Sequence, residues 1–305
     1  VSEWLTFLSK HTLLASLNLT YATSVRFSPS SEWMPVIDMP CLQELVLADE
    51  VTSCAHLLDK ITPPTSCRTS VVAGLEPDGG DGVQLLQAVC SSLVARRIST
   101  YLQITLSGTS VAFTNRNNDP ASSLQTSHIF LKFQWQANFD PFEESQLPHN
   151  AIDFLPASVL ASIENLRIVL SPINGRYPFD DASLLSIFND WIWRLTSVEH
   201  LILESCSLDT LLSLLSNDGD GDNYNENDGE GNNLHCPRLA SLRGLEVLQA
   251  EGEEVNWGAL VSFAEWRIDA QRGINYIMVP SSEVDHLSRE DASLLGDLDV
   301  EICLK

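Results

Sequence analysis

The chain has 305 residues, of which 44% are apolar and 19% charged, a balance that supports a large globular core rather than disorder. Its net charge of −24, from 41 acidic and 17 basic residues, excludes the basic footprint that nucleic-acid binding needs and disfavours anionic membrane surfaces. No apolar run is long enough to span a bilayer, and no signal-peptide pattern opens the chain.

Taken in chain order, the first signal is Leu14-Ala-Ser-Leu17-Asn-Leu19, followed by Leu42-Gln-Glu-Leu45-Val-Leu47. Both carry the Leu-x-x-Leu-x-Leu spacing of a short strand whose alternate residues point inward. Cys54, Leu57, Leu58 and Ile61 then fall on one helical face, and Val71-Val72 marks another strand. A second helical stripe runs through Val83, Leu86, Val89, Cys90, Leu93 and Val94. Alternation alone marks strands at Leu102, Ile104, Leu106 and at Ile129, Leu131, Phe133. The polar run at residues 114–127 between them reads as an inserted loop, and Asn138 to His149, with Pro141 and Pro148, as a connector.

The second half repeats the theme. Ile163-Glu-Asn-Leu166-Arg-Ile168-Val-Leu170 is a strand, and Leu184, Leu185, Phe188, Trp191, Ile192 and Leu195 form the strongest helical stripe, with Asp180 or Asp181 as N-cap. Val198-Glu-His-Leu201-Ile-Leu203-Glu-Ser-Cys206-Ser-Leu208 fits the whole leucine-rich-repeat template, with Val in place of the first Leu. Leu242-Arg-Gly-Leu245-Glu-Val247 follows. Next come a helix with Leu260, Phe263, Ala264 and Ile268 on one face, and then Ile274-Asn-Tyr-Ile277-Met-Val279. Asp285-His286 with Arg289-Glu290-Asp291 reads as a charged helix start. Aligning Leu17, Leu45, Val71, Ile104, Leu131, Ile168, Leu201, Leu245 and Ile277 as equivalent gives units of roughly 30 residues, slightly long for this repeat class.

Strand, turn, helix, next parallel strand is the order of an α/β leucine-rich-repeat solenoid. An irregular horseshoe is expected, with parallel strands on the inner face and helices outside. Residues 1–305 read as one such domain, with insertions at about 114–127 and 216–233. A doubly wound α/β domain would show near-continuous apolar strands. Polar residues inside these strands, such as Glu44, Lys132, Asn165 and His200, point instead to one open face.

The insertion at 216–233 is rich in Asp, Asn and Gly and reads as low complexity. Asp218, Asp220 and Asp222 fit the first three ligand positions of an EF-hand loop. Asn223 stands where the loop needs glycine, however, and Gly229 where it needs a bidentate glutamate. Without that segment's six acids the charge is still about −18. Cys41, Cys54, Cys67, Cys90, Cys206, Cys236 and Cys303 are odd in number and contain no C-x-x-C pair. They read as reduced thiols of an intracellular protein, cytoplasmic or nuclear. Nucleophile-elbow, phosphate-loop, dinucleotide and H-E-x-x-H motifs are absent, so no catalytic site, metal site or cofactor is expected.

By alternation, the side chains between the buried leucines line the exposed strand face. They are Asn18, Thr20, Glu44, Val46, Gln103, Thr105, Phe130, Lys132, Arg167, Val169, His200, Ile202, Glu246 and Tyr276. The mixed stripe suits a protein partner. An enzyme on an α/β fold and a repeat protein whose acidic loop binds cations stay open as alternatives.

The segment Met39-Pro-Cys-Leu42-Gln-Glu-Leu45-Val-Leu47-Ala-Asp49-Glu-Val-Thr-Ser-Cys54-Ala-His-Leu57-Leu58 resembles one repeat of the C-terminal leucine-rich domains in F-box-like proteins of mushroom-forming fungi. Pro63-Pro64 before the strand at Thr69 to Ala73, and the late Leu245–Val247 and Ile277–Val279 strands, are similar in order. The resemblance implies the substrate-recognition part of a ubiquitin-ligase adaptor. The F-box itself is not visible in the chain, which starts at Val1 like a trimmed domain. Docking to a ligase scaffold is therefore expected only if an F-box precedes Val1.

Overall fold

The computed structural model describes residues 2–21, 35–64, 66–74, 100–107, 110–115, 129–134, 160–171, 192, 194–205, 239–248 and 255–305. The helical stripe at 83–94, the connector at 138–149, most of the stripe at 184–195, Cys206, Leu208 and the acidic insertion at 216–233 lie outside these residues. The repeat pattern treats 1–305 as one domain. The contacts gather the chain into two compact units, Val1–Ser162 with Ser171–Pro178, and Ile163–Leu170 with Phe179–Lys305.

The first unit opens with α1 (Ser2–Leu8) and β1 (Ser16–Thr20). It continues through β2 (Ile37–Asp38), β3 (Glu44–Glu50), α2 (Val51–Lys60), β4 (Ile61–Thr62), β5 (Arg68–Gly74), β6 (Tyr101–Ser107), β7 (Ser110–Asn115) and β8 (Ile129–Gln134). Its strands lie in the order β1-β3-β5-β8-β7-β6, and β2 pairs separately with β4. β1, β3, β5 and β8 are parallel, whereas β7 is antiparallel to both β6 and β8. An all-parallel strand face therefore needs correction here. Where β6 and β7 pair end to end, Ser107 Oγ lies 2.8 Å from Ser110 Oγ. Thr114 and Asn115, assigned above to the polar insertion, are the end of β7.

The second unit holds five parallel strands in sequence order, β9 (Asn165–Ser171), β10 (His200–Glu204), β11 (Gly244–Leu248), β12 (Tyr276–Val279) and β13 (Glu301–Leu304). Parallel neighbours need crossover connections. α3 (Trp257–Asp269) links β11 to β12. A 3-10 turn (Ser281–His286) and α4 (Arg289–Asp297) link β12 to β13, and α3 packs on α4. α3 starts where the Asn256 side chain accepts from the Ala259 N–H (3.1 Å), and α4 where Ser288 Oγ accepts from the Asp291 N–H (3.0 Å). β13 has no counterpart among the strands expected from the sequence. Among the described residues no helix is long and apolar enough to cross a membrane.

One recurring backbone device ties strand to strand. The carbonyl just before β1, β9, β10 and β11 accepts from two N–H groups of the chain entering the neighbouring parallel strand. Ala15 accepts from Gln43 and Glu44, Glu164 from Glu199 and His200, Glu199 from Arg243 and Gly244, and Arg243 from Asn275 and Tyr276. These bonds set the register. Leu17, Leu45, Thr69 and Ile129 form one row, and Leu166, Leu201, Leu245, Ile277 and Ile302 another. The equivalences drawn from sequence at Val71, Leu131 and Ile168 are thus displaced by two residues, one row along the strand. A shift of two keeps each side chain on its face.

The core is this aliphatic ladder together with the helix faces behind it. Leu45, Leu47, Leu201, Leu203, Leu245 and Ile277 are all buried, as are Cys54, Leu57 and Leu58 of α2. Each such side chain contributes roughly 1.5–3 kcal/mol by leaving water. Burial also pushes the Cys54 thiol up to about 12, so this cysteine is an inert core residue.

α3 departs from its expected face. Leu260, Phe263 and Ala264 are buried, but the next buried position is Arg267, while Ile268 reaches solvent. Arg267 is fully enclosed because its planar fork meets three carbonyls. Nε donates to Arg272 O (2.8 Å), Nη1 to Leu239 O (3.1 Å) and Nη2 to Leu242 O (3.0 Å). Those carbonyls belong to the turn before β11 and the loop after α3, so one side chain fastens the exit of α3 to the entry of β11. Desolvation, and then the charge of Arg272, lowers its pKa to about 10, and the group stays cationic at neutral pH. Arg267→Met should leave the three carbonyls without these donors and cost about 3 kcal/mol or more. Arg267→Lys should recover only part of this, because an ammonium lacks the fork. Urea midpoints of the two variants check the expectation, and equal midpoints for wild type and Arg267→Met would refute it.

Candidate functional site

Alternation decides which side chains are free. Once the aliphatic ladder fills one side of each strand, the residues between must take the other. In the first unit Asn18, Val46, Ser70, Phe130, Thr114 and Gln103 stand in one cross-strand row. Thr20, Ala48, Val72, Lys132, Ala112 and Thr105 stand in the next. Glu44 lies between Ser16 and Arg68, and Ser16 Oγ donates to its carboxylate (3.3 Å). All eight positions named from sequence in this unit share the face. Polar bonds run along the strands: Thr20 Oγ1 donates to Asn18 Oδ1 (2.9 Å), Tyr101 Oη to Gln103 Oε1 (3.2 Å), and Gln103 Nε2 to Thr105 Oγ1 (3.2 Å). Ala112, in the middle, is buried despite facing this side.

The second unit forms three rows on its open face. The first is Asn165, His200, Gly244, Tyr276 and Glu301. The second is Arg167, Ile202, Glu246, Met278 and Cys303, and the third Val169, Glu204 and Leu248. The six positions named from sequence here again share one face, but their lateral neighbours differ from the sequence alignment. Equating Ile168 with Leu201 set Arg167 beside His200. The observed register sets Asn165 there and moves Arg167 beside Ile202.

Within these rows lies a shallow cavity of about 310 Å³, lined by Asn165, His200, Leu201, Ile202, Gly244, Glu246 and Tyr276. Its wall depends on a missing side chain. Tyr276 and His200 are two strands apart, roughly 10 Å between backbones. The phenol spans that distance by lying over Gly244, where any Cβ would overlap the ring. Tyr276 Oη and His200 Nδ1 then meet at 2.7 Å, with ring centroids 5.9 Å apart and planes at 29°. Sequence reasoning found His200, Ile202, Glu246 and Tyr276 but missed Asn165 and Gly244. A glycine inside a strand pattern marks a close approach, and that was the available signal.

The electrostatics of this face are paired. Arg167 donates through Nε to Glu204 (2.9 Å) and ion-pairs with the same carboxylate through Nη2. Lys305 ion-pairs with Glu246 across β12. Burial, and then the electrostatic influence of Cys303 and Glu246, raises the Tyr276 pKa. The phenol therefore keeps its proton at neutral pH, and Oη and His200 Nδ1 share one hydrogen bond whose donor follows the imidazole tautomer. Among the described residues no three His, Cys, Asp or Glu side chains come together as metal ligands. The arrangement offers hydrogen-bond acceptors, one aromatic wall and a carboxylate to a side chain placed on the sheet.

No family model, curated protein or solved structure matches the chain.

Gly244→Ala should push the Tyr276 ring aside and break its bond to His200. The His200 ring resonances should shift, and stability should fall by about 1–3 kcal/mol; unchanged resonances would contradict the geometry. A separate check is the pH dependence. A raised phenol pKa makes a stabilising contribution that is whole below the unfolded value near 10 and is lost as pH rises through the folded value. Comparing phenolate absorbance of wild type and Tyr276→Phe should assign to Tyr276 a transition above that of free tyrosine.

Proposed function

We propose that the chain is an irregular leucine-rich-repeat solenoid that binds a protein partner through the open face of its strands, as the substrate-recognition part of a ubiquitin-ligase adaptor. The observation that carries the reading is the common face. In each unit every candidate side chain lies opposite the buried aliphatic ladder, in register with its neighbours. Polar, aromatic and aliphatic groups alternate along it, as in protein contact surfaces rather than small-molecule clefts.

The repeat reading is supported by the carbonyl device before β3, β10, β11 and β12, which recurs with the same two N–H donors each time. The adaptor role rests on the resemblance of Met39–Leu58, which forms a strand and a helix with Met39, Leu42, Leu45, Leu47, Cys54, Leu57 and Leu58 all buried. Attachment to a ligase scaffold needs an F-box ahead of Val1. The net charge of −24 favours a partner with a basic surface.

Charge reversal at Glu44, Arg167 and Glu246, singly and together, is the direct test. Affinity capture with quantitative mass spectrometry should lose the specific partner from the triple variant by tenfold or more, with denaturation midpoints held as a folding control. Full recovery by a folded triple variant would overturn the open face as the binding surface.

A further inference from the structure

One carboxylate that lines the cavity beside His200 and Tyr276 already holds an ammonium. Lys305, whose backbone N–H is fixed to Val279 O (3.1 Å), reaches across β12 and pairs with Glu246. The two partners differ in environment: the Glu246 side chain is 14% exposed and the Lys305 side chain 53%. The carboxylate lines the cavity, and the lysine reaches it from outside that lining. Tyr276 adds an aromatic face next to Glu246, and Asn165 and the Tyr276 hydroxyl add oxygen acceptors.

We infer that this cavity is a seat for a lysine side chain of the bound partner, and that its carboxylate, Glu246, is held by Lys305 in the free protein. Four features converge on an ammonium. Glu246 supplies a half-desolvated negative charge, which binds a cation more strongly than an exposed one. The Tyr276 ring supplies a cation–π surface. A volume of about 310 Å³ has room for an extended side chain. The strongly acidic chain draws basic partners toward the face. Lys305 does not block entry, because an ion pair with one well-exposed member is weak and exchanges readily. The incoming lysine takes over its carboxylate, and Lys305 returns to solvent.

The proposal rests on the open face being the partner-binding surface, and the two fail separately. The probe is lysine capped as its Nα-acetyl, N-methylamide derivative, titrated into the full chain and followed by amide and ring resonances. Millimolar binding is expected, with shifts at His200, Gly244, Glu246 and Tyr276. Lys305→Ala should tighten it about threefold to tenfold by removing the competitor, and Glu246→Gln should weaken it at least tenfold. The Nε-acetylated probe, which has no charge, should shift none of these resonances. Equal shifts from the acetylated probe, or weaker binding in Lys305→Ala, would overturn the lysine seat. The acetylated-probe comparison uses wild type, so it stands even if Glu246→Gln fails to fold. Absence of probe binding while charge reversal still loses the partner sinks the seat and leaves the face reading. Probe binding while charge reversal, which includes Glu246, loses nothing shows a cation site that the partner does not use, and sinks the seat as a partner contact together with the face reading.

Discussion

A row of buried, mostly aliphatic side chains along neighbouring strands is the constraint on which the rest depends. Leu166, Leu201, Leu245 and Ile277 in one unit, and Leu17 and Leu45 in the other, fill the buried side of their strands. A strand shifted by a single residue would carry its whole apolar set into water. The penalty scales with every leucine exposed, so the face assignment is strongly held. The open face is then a consequence of the core. Whatever lies between two buried leucines is presented outward, at the strand spacing, in rows.

Two residues depart from the local rules, and each departure positions something else. Gly244 removes a side chain from the middle of a row, which lets Tyr276 lie flat across β11 to His200. Arg267 places a charge where the helix pattern calls for an aliphatic residue, and its fork closes the turn before β11 against the loop after α3. β11 enters the site from that closed turn. The cavity is thus shaped from one side by an absent Cβ and steadied from the other by a buried guanidinium. Such local inconsistencies persist only with a compensating gain.

The strands marked by Leu-x-x-Leu-x-Leu were legible because three apolar positions at fixed spacing leave one strand face to choose. β7 was not. Ala112 and Ser110 are buried on the side opposite Val111 and Phe113, so small residues replace the polar half of the alternation. The hairpin signal was Ser107-Gly108-Thr109-Ser110 between two β-rich runs. β13 was missed because it is short and only partly covered, with Leu304 exposed. In α3 the apolar stripe predicted Ile268 inward, since nothing local says that an arginine will find three carbonyls. In the site, four lining side chains followed from alternation, while Asn165 was lost through the two-residue slip at Ile168.

What the amino-acid sequence determined by itself was parity. It settled which side of each strand is buried and which is open, because the period of two is written in the residues and a wrong choice exposes the core. It could not determine offset. A slip of two residues keeps every side chain on its face, so Leu166 and Ile168 are equivalent to any pattern. Tertiary structure made that choice through the carbonyls of Glu164, Glu199 and Arg243, each binding the entry of the next strand. Only that register sets Asn165 beside His200 and Gly244 under Tyr276, and so only folding makes a cavity from residues that lie far apart in the chain.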